Sequence, residues 1–169
     1  MKAMVIEEIG PVREERDPLA LRDLPDPEPK PHEVLLEILA CGVCHTELDE
    51  IEGRTPPSQL PMIPGHEVIG RVIGQGKEAS RFKEGDRVGV AWIYWADGSC
   101  EFCRRGEENL CESFMATGRD ANGGYAEKMT VPESFAYPIP ATFTDAQAAP
   151  LLCAGAVGYR SLKLTKIKN

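Results

Sequence analysis

The chain has 169 residues, the usual size of one compact domain, and at 42% hydrophobic it can bury a core of its own. A formal net charge of −8 argues against nucleic acid, which needs Lys and Arg to displace counterions, and against anionic membrane surfaces. With 16 Gly and 14 Pro, it should be built from short segments separated by many turns.

Residues 1–8 read as a first strand carrying Met4, Val5 and Ile6, closed by Gly10-Pro11. The short apolar run before Glu7-Glu8 is no secretory signal, and no stretch is long enough to span a bilayer. A cytoplasmic setting follows as the expectation, and there six Cys suit metal ligation better than disulfides. Residues 19–24 read as a half-buried strand. In residues 25–31, four prolines at every second position exclude helix and central strand; the stretch reads as an extended surface connection within the domain, with a disordered linker as the alternative. The apolar run 33–40 reads as a buried strand that delivers the chain to Cys41.

Residues 44–51 suit a short helix ended by Gly53, and 54–64 form a loop with four prolines. Strands are expected over 68–73, 88–93, 125–131 and 135–139, with a separate lobe over 100–111. Thr144-Asp145 has the form of a helix N-cap, Pro150 interrupts that helix, and 154–166 is the most helical stretch. Many short strands with few, late helices predict a mainly β, barrel-like domain without internal repeats.

Cys44 and His66 flank the Pro-rich loop, and Cys153 lies near the C-terminus. Thiolate and imidazole are zinc ligands, and three protein ligands leave a fourth position open for water or substrate. Taken singly, each residue is equally well a buried small thiol or an ordinary core or surface histidine. Cys41 reads as a buried strand-end residue rather than a ligand.

The neighbouring residues carry more. Gly42-Val43-Cys44-His45-Thr46-Glu47, Pro64-Gly65-His66-Glu67 and Cys153-Ala154-Gly155 resemble the zinc-dependent medium-chain alcohol dehydrogenase family. Phe82-Lys83-Glu84-Gly85-Asp86-Arg87-Val88 and Gly123-Gly124-Tyr125-Ala126-Glu127 resemble it too, in the family's order, and the cinnamyl-alcohol-dehydrogenase-like bacterial branch is the most similar. The resemblance implies a GroES-like, partly open β-barrel over 1–169, with a zinc-binding lobe at about 95–113 and a C-terminal helix. It implies that Cys44, His66 and Cys153 hold a catalytic zinc, with Glu67 beside it. It further implies that Thr46 takes the alcohol proton and that His45 contacts the cofactor's pyrophosphate. The reaction implied is reversible oxidation of an alcohol to an aldehyde or ketone with NAD(P), with zinc as the Lewis acid that polarises the substrate oxygen.

Two positions depart from that pattern. Glu47 stands where the family usually has Asp, and one extra methylene should shift a hydrogen bond to the His ligand. Asp49 stands where many members have the His that ends a proton relay, so the relay is expected to end on Asp49 or in water.

Cys100-x2-Cys103-x7-Cys111 has the spacing of three-quarters of a structural zinc lobe, and the family's first Cys is replaced by Asp97. Zinc accepts a carboxylate oxygen, so one Asp and three Cys form a reasonable site; free thiols or a disulfide are the alternatives. Arg104 and Arg105 read as a solvated turn. Gly74-Gln75-Gly76-Lys77-Glu78-Ala79 matches a dinucleotide fingerprint in letters only. A strand follows without the crossover helix that the fingerprint requires, so it is read as a Gly-rich turn.

In the resembling enzymes the late helix leads into a Rossmann domain, which is expected to be absent from 1–169. The expectation is therefore an isolated domain, a truncated product or a natural half, which binds zinc but turns over poorly. The alternatives are a non-catalytic zinc-binding GroES-like module and a zinc-free relative, the latter opposed by the ligand set. A small alcohol or aldehyde is the expected partner, with a homo-oligomer possible in principle. Trp92, Tyr94 and Trp95 could line an aromatic pocket, but packing explains them equally well.

Overall fold

The computed structural model of the protein describes residues 1–13 and 17–167. The strands are β1 (Lys2–Val5), β2 (Ala20–Asp23), β3 (Glu33–Cys41), β4 (Val68–Gln75), β5 (Arg87–Val90), β6 (Ile93–Trp95), β7 (Met115–Ala116), β8 (Lys128–Pro132) and β9 (Ala136–Pro138). The helices are α1 (His45–Glu52), α2 (Glu101–Arg104), α3 (Asp145–Ala148) and α4 (Ala154–Thr165). Five strands form one antiparallel sheet in the order β8-β3-β4-β5-β9, curled into a half-barrel of the GroES-like kind.

Alternation explains the sheet. Val34 and Leu36 on β3, Val88 and Val90 on β5, and Met129 and Val131 on β8 are two residues apart, so each pair faces one side. They join Val68, Val72, Phe82 and Phe135 in the main core. Ile69 faces the other way and packs with Ala148 and Ala149, so the helical end of the chain covers the second face of β4. Because both faces of its first half are covered, Val68, Ile69 and Gly70 are buried in succession.

Most expected elements form where the residues place them. Residues 24–30 hold no helix or strand, and 76–79 make a turn in which the Ala79 N–H donates to the Gly76 carbonyl at 3.1 Å. Thr144 caps α3 reciprocally with Gln147: Gln147 N donates to Thr144 Oγ1 at 3.3 Å, and Thr144 N donates to Gln147 Oε1 at 3.1 Å. Pro150 sits in a tight 3-10 turn, Ala149–Leu152, between α3 and α4.

Two expected strands differ in extent, and one short strand carried no expectation. The strand expected over 88–93 is two strands, because β5 pairs with β4 and β9 while β6 pairs with β7. Thr117 holds the break: its N–H donates to the Trp92 carbonyl at 2.9 Å and its hydroxyl to the Ala91 carbonyl at 2.8 Å. The strand expected over 125–131 starts at Lys128, since Tyr125 and Glu127 bond to Met4, Pro64, Lys2 and Ile38 instead of one ladder. β7 is too short to leave a periodic signal, and residues 115–116 carried no expectation.

On α4, none of the described side chains is buried, and Val157, Tyr159, Leu162 and Leu164 are exposed. Among the described residues, no helix is long and apolar enough to cross a membrane.

Candidate metal centre

Cys44 ends the β3 connection and is the N-cap of α1, with extended backbone at φ −114° and ψ 161°. Its N–H donates to Glu47 Oε2 at 2.6 Å, and the other Glu47 oxygen lies 2.8 Å from His66 Nδ1. One buried carboxylate therefore ties the helix start to the imidazole. The extra methylene of Glu47 does not break the contact with His66, because the longer side chain reaches both partners from the first turn of α1. Gly53, with φ 80°, ends that helix.

His66 arrives from the Pro64-Gly65 turn just before β4. Gly65 has φ +98°, and a Cβ there would lie 2.5 Å from Tyr125 Cδ1 and 2.9 Å from Cys41 Sγ. Gly42 is required by close approach, since its Cβ would lie 1.9 Å from Glu67 Oε2. Cys153 caps the start of α4, 109 positions from Cys44 in the chain, yet the two sulfurs are 3.7 Å apart.

The donor atoms of Cys44, His66, Glu67 and Cys153 all lie within 4.8 Å of one another. Ligand atoms 2.0–2.3 Å from one tetrahedral ion are themselves about 3.5 Å apart, so the set fits zinc with little movement. His66 is 1% exposed; Nδ1 faces Glu47, and Nε2 has no hydrogen-bond partner among the described residues, which leaves it available to a metal. The electrostatics agree. Burial pushes the Cys44 thiol up, but the Thr46 N–H and hydroxyl, Cys153 and His66 together lower its pKa overall. Burial and then the neighbouring Cys44 push Cys153 up to about 12, so a cation is what would make both sulfurs thiolate at once. Burial also raises Glu67, partly offset by His66.

Cys41 belongs to no donor group among the described residues. It packs against the core as a strand-end thiol, pushed up to about 12 chiefly by burial. Thr46 Oγ1 is 3.6 Å from Cys44 Sγ and lines the cleft beside the centre. His45 is exposed on the outer surface of α1, with Nε2 3.6 Å from Asp49 Oδ1. Asp49 is paired with Arg54.

The second donor group is Asp97, Cys100, Cys103 and Cys111, again within 4.8 Å of one another. Asp97 divides its work. Oδ1 accepts from Ser99 N at 2.6 Å, Cys100 N at 2.7 Å and Ser99 Oγ at 3.2 Å, while Oδ2 faces Cys111 Sγ at 3.3 Å. The backbone N–H groups of Cys100 and Ser99, and then the Cys111 thiol, hold this carboxyl well below the usual carboxylate range. Arg105 pairs with Glu107 at 3.0 Å and lies over Phe102, as expected of a solvated turn.

A cleft of about 520 Å³ opens beside Cys153, His66 and Thr46, walled by Trp92, Ile93, Phe114, Tyr137 and Leu152. Only one of the three aromatic candidates lies there. Trp92 meets His66 edge-on at 5.0 Å between ring centres. Tyr94 turns inward and donates to Glu33 Oε1 at 2.9 Å, and Trp95 lines a groove beside Lys30 and Pro132.

A family model described as alcohol dehydrogenase GroES-like domain matches residues 30–141. The chain belongs to this family. It is 49% identical over 146 residues to a protein of Mycobacterium tuberculosis named probable alcohol dehydrogenase AdhA, covering 83% of this chain and 42% of that protein. It is 40% identical over 169 residues to an alcohol dehydrogenase of Geobacillus stearothermophilus, covering 99% and 48%. Among solved structures, a cobalt- and zinc-bound thermostable alcohol dehydrogenase from Pyrobaculum aerophilum matches with TM-score 0.82 at 31% identity, covering 95% of this chain and 48% of that one. A protein named CAD from Helicobacter pylori, complexed with NADP(H), matches with TM-score 0.86 at 28% identity, covering 99% and 49%. The chain thus spans about half the length of the relatives it matches.

Sequence reasoning missed one buried group in this GroES-like domain. Glu50, one turn beyond Glu47, is fully enclosed, and neither of its oxygens has a partner among the described residues. Burial, and then the Glu47 charge, raise its pKa from 4.5 to about 8, against the pull of His66 and Arg119. Between those values the folded chain holds a proton that the unfolded chain has released, so raising pH through this window favours unfolding. Urea titrations at about pH 5, 6.5 and 8 should show stability falling as pH rises, and Glu50→Gln should flatten that slope. An unchanged slope in the variant would assign the loss to other groups. A carboxyl inside a mostly polar helix gives no sequence signal of burial.

Proposed function

We propose that this chain is the catalytic domain of a zinc-dependent, NAD(P)-linked alcohol dehydrogenase, acting on small alcohols or aldehydes. The observation that carries the reading is the convergence of Cys44, His66 and Cys153, with Glu67, at one end of an apolar-walled cleft. In this reading, those residues hold a catalytic zinc and Asp97, Cys100, Cys103 and Cys111 hold a second, structural one. When bound, the catalytic ion supplies a Lewis acid at the substrate oxygen. The residues of the chain do the rest. Glu47 orients His66, the aromatic walls exclude water, and the Thr46 hydroxyl takes the substrate proton toward Asp49 or solvent. His45, exposed at the start of α1, meets the cofactor's pyrophosphate.

The three sheets among the described residues are antiparallel, whereas a nucleotide fold of the Rossmann kind needs parallel βαβ units. Most of the nicotinamide site is therefore assigned to a domain outside 1–169, and the exposed apolar residues of α4 suit its docking. The proposed setting is cytoplasmic, and a homo-oligomer is compatible with the same exposed helix.

Metal analysis and turnover test the reading together. The purified chain should carry about two zincs, one per donor group. With NAD(P)H and an aldehyde it should show negligible turnover, because hydride transfer needs the cofactor held against the substrate. No bound zinc would overturn the metal assignment, and measurable turnover would overturn the division of the active site between two domains. The non-catalytic alternative, a zinc-binding module alone, would require that no added nucleotide-binding domain restores activity.

A further inference from the structure

Both carboxyl oxygens of Glu50, Oε1 of Glu47 and the Tyr125 hydroxyl are buried without a hydrogen bond among the described residues. Glu47 and Glu50 are three positions apart on α1, so their side chains leave one face of the helix a turn apart. Tyr125 reaches the same region beside Gly65, the residue before His66. Burial, and then Glu47, Cys41, Glu67 and Glu50, push its hydroxyl up, so it lies in the field of the same carboxyls. Two enclosed carboxyls this near do not both ionise. Glu47 has the Cys44 N–H at 2.6 Å and His66 Nδ1 at 2.8 Å to hold its charge. Glu50 has neither, and Arg119 and Asp120, from the loop after β7, act on it with opposite signs. The proton therefore stays on Glu50, which offers one O–H donor and one acceptor oxygen.

We propose that Glu50, Glu47 Oε1 and the Tyr125 hydroxyl hold one internal water, and that Glu50 is thereby a positioning residue for His66 at the first metal centre. An internal water makes about three hydrogen bonds to buried polar groups that lack other partners, and these three side chains offer them. Glu50 and Tyr125 donate to the water, and the water donates to Glu47 Oε1. The Glu47 carboxylate is then held from both ends, by the water and by the Cys44 N–H. That fixes its plane against His66 Nδ1 and keeps Nε2 available to the metal. This inference rests on the first donor group holding a metal.

The test compares the purified chain with Glu50→Leu and Glu50→Gln at about pH 6.5, where Glu50 holds its proton. Oxygen-17 relaxation of water, with chelator present, counts long-lived internal waters, and Glu50→Leu should lose one. Competition for zinc against a chromogenic chelator should show affinity at the first centre about tenfold lower in Glu50→Leu, with the second centre unchanged as the internal reference. Glu50→Gln is neutral and still donates, so it should keep the water and most of the affinity, a rescue that a packing role alone would not give. In a Glu47→Gln background, Glu50→Leu should no longer lower affinity, because its effect passes through Glu47. If Glu50→Leu does not fold, Glu50→Met takes its place with the same expectations. An unchanged water count, parental affinity in Glu50→Leu, no rescue by Glu50→Gln, or an undiminished loss in the Glu47→Gln background overturns the proposal. A parent chain that takes up no zinc at the first centre overturns the metal reading and the positioning role with it, while the water count still judges the water site by itself.

Discussion

Replacing His66 with alanine is expected to lower bound zinc from about two per chain to about one and to destabilise the metal-free fold by about 3 kcal/mol. The two effects have separate origins. His66 supplies the one imidazole in the first donor group, and two half-buried thiols with a buried carboxyl hold zinc far less firmly. The stability loss falls on Glu47, which is 3% exposed and has one oxygen 2.8 Å from His66 Nδ1. Removing the imidazole leaves a buried carboxylate that keeps, among the described residues, the hydrogen bond from the Cys44 N–H at 2.6 Å. Metal analysis reads the first effect, and urea unfolding with chelator present reads the second. Retention of two zincs would remove His66 from the ligand set. A loss well under 1 kcal/mol would mean that Glu47 is solvated without its partner.

Gly65→Ala is expected to cost about 3 kcal/mol and to weaken zinc binding at the first centre by about tenfold or more. The backbone at φ +98° is unfavourable for any residue with a Cβ, and that atom would enter the space of Tyr125 and the Cys41 sulfur. The turn cannot shift freely, because the Gly65 carbonyl accepts from Gly124 N at 2.9 Å and the Pro64 carbonyl from Tyr125 N at 3.0 Å. Strain would pass to the next residue, His66. Adding Tyr125→Leu should relieve the steric part and leave the backbone part, recovering about half of the loss. Full recovery would show that steric crowding alone was responsible, and a neutral Gly65→Ala would show that the turn has another accessible conformation.

The two glycine constraints explain why the motif residues around the donors were informative. Gly42 and Gly65 sit where the backbone must pass within contact of Glu67, Tyr125 and Cys41. The ligand residue types and their local spacing could be read from the chain because zinc chemistry restricts donors to thiolate, imidazole and carboxylate. The elements that carry them were legible for a similar reason. α1 begins at an acid-bearing first turn and ends at Gly53, and the β3 run is long and apolar. The split between β5 and β6 was not legible, since the apolar run continues through it. Thr117, more than twenty residues away, makes the break.

By itself, the sequence determined the mainly β class and the kinds of donors, which follow from local chemistry (hydrophobic period, turn residues and metal preference), while the family was legible through the resemblance of its motifs. Only the tertiary structure decided which groups meet. It set Cys44 and Cys153 3.7 Å apart across 109 positions, turned Trp92 into the cleft while Tyr94 and Trp95 faced elsewhere, and enclosed Glu50. It also placed Arg119 against the Trp92 ring, more than twenty positions away in the chain. The physical reason is that such contacts depend on how the curled sheet brings its loops to one end, and no single segment of sequence encodes that direction.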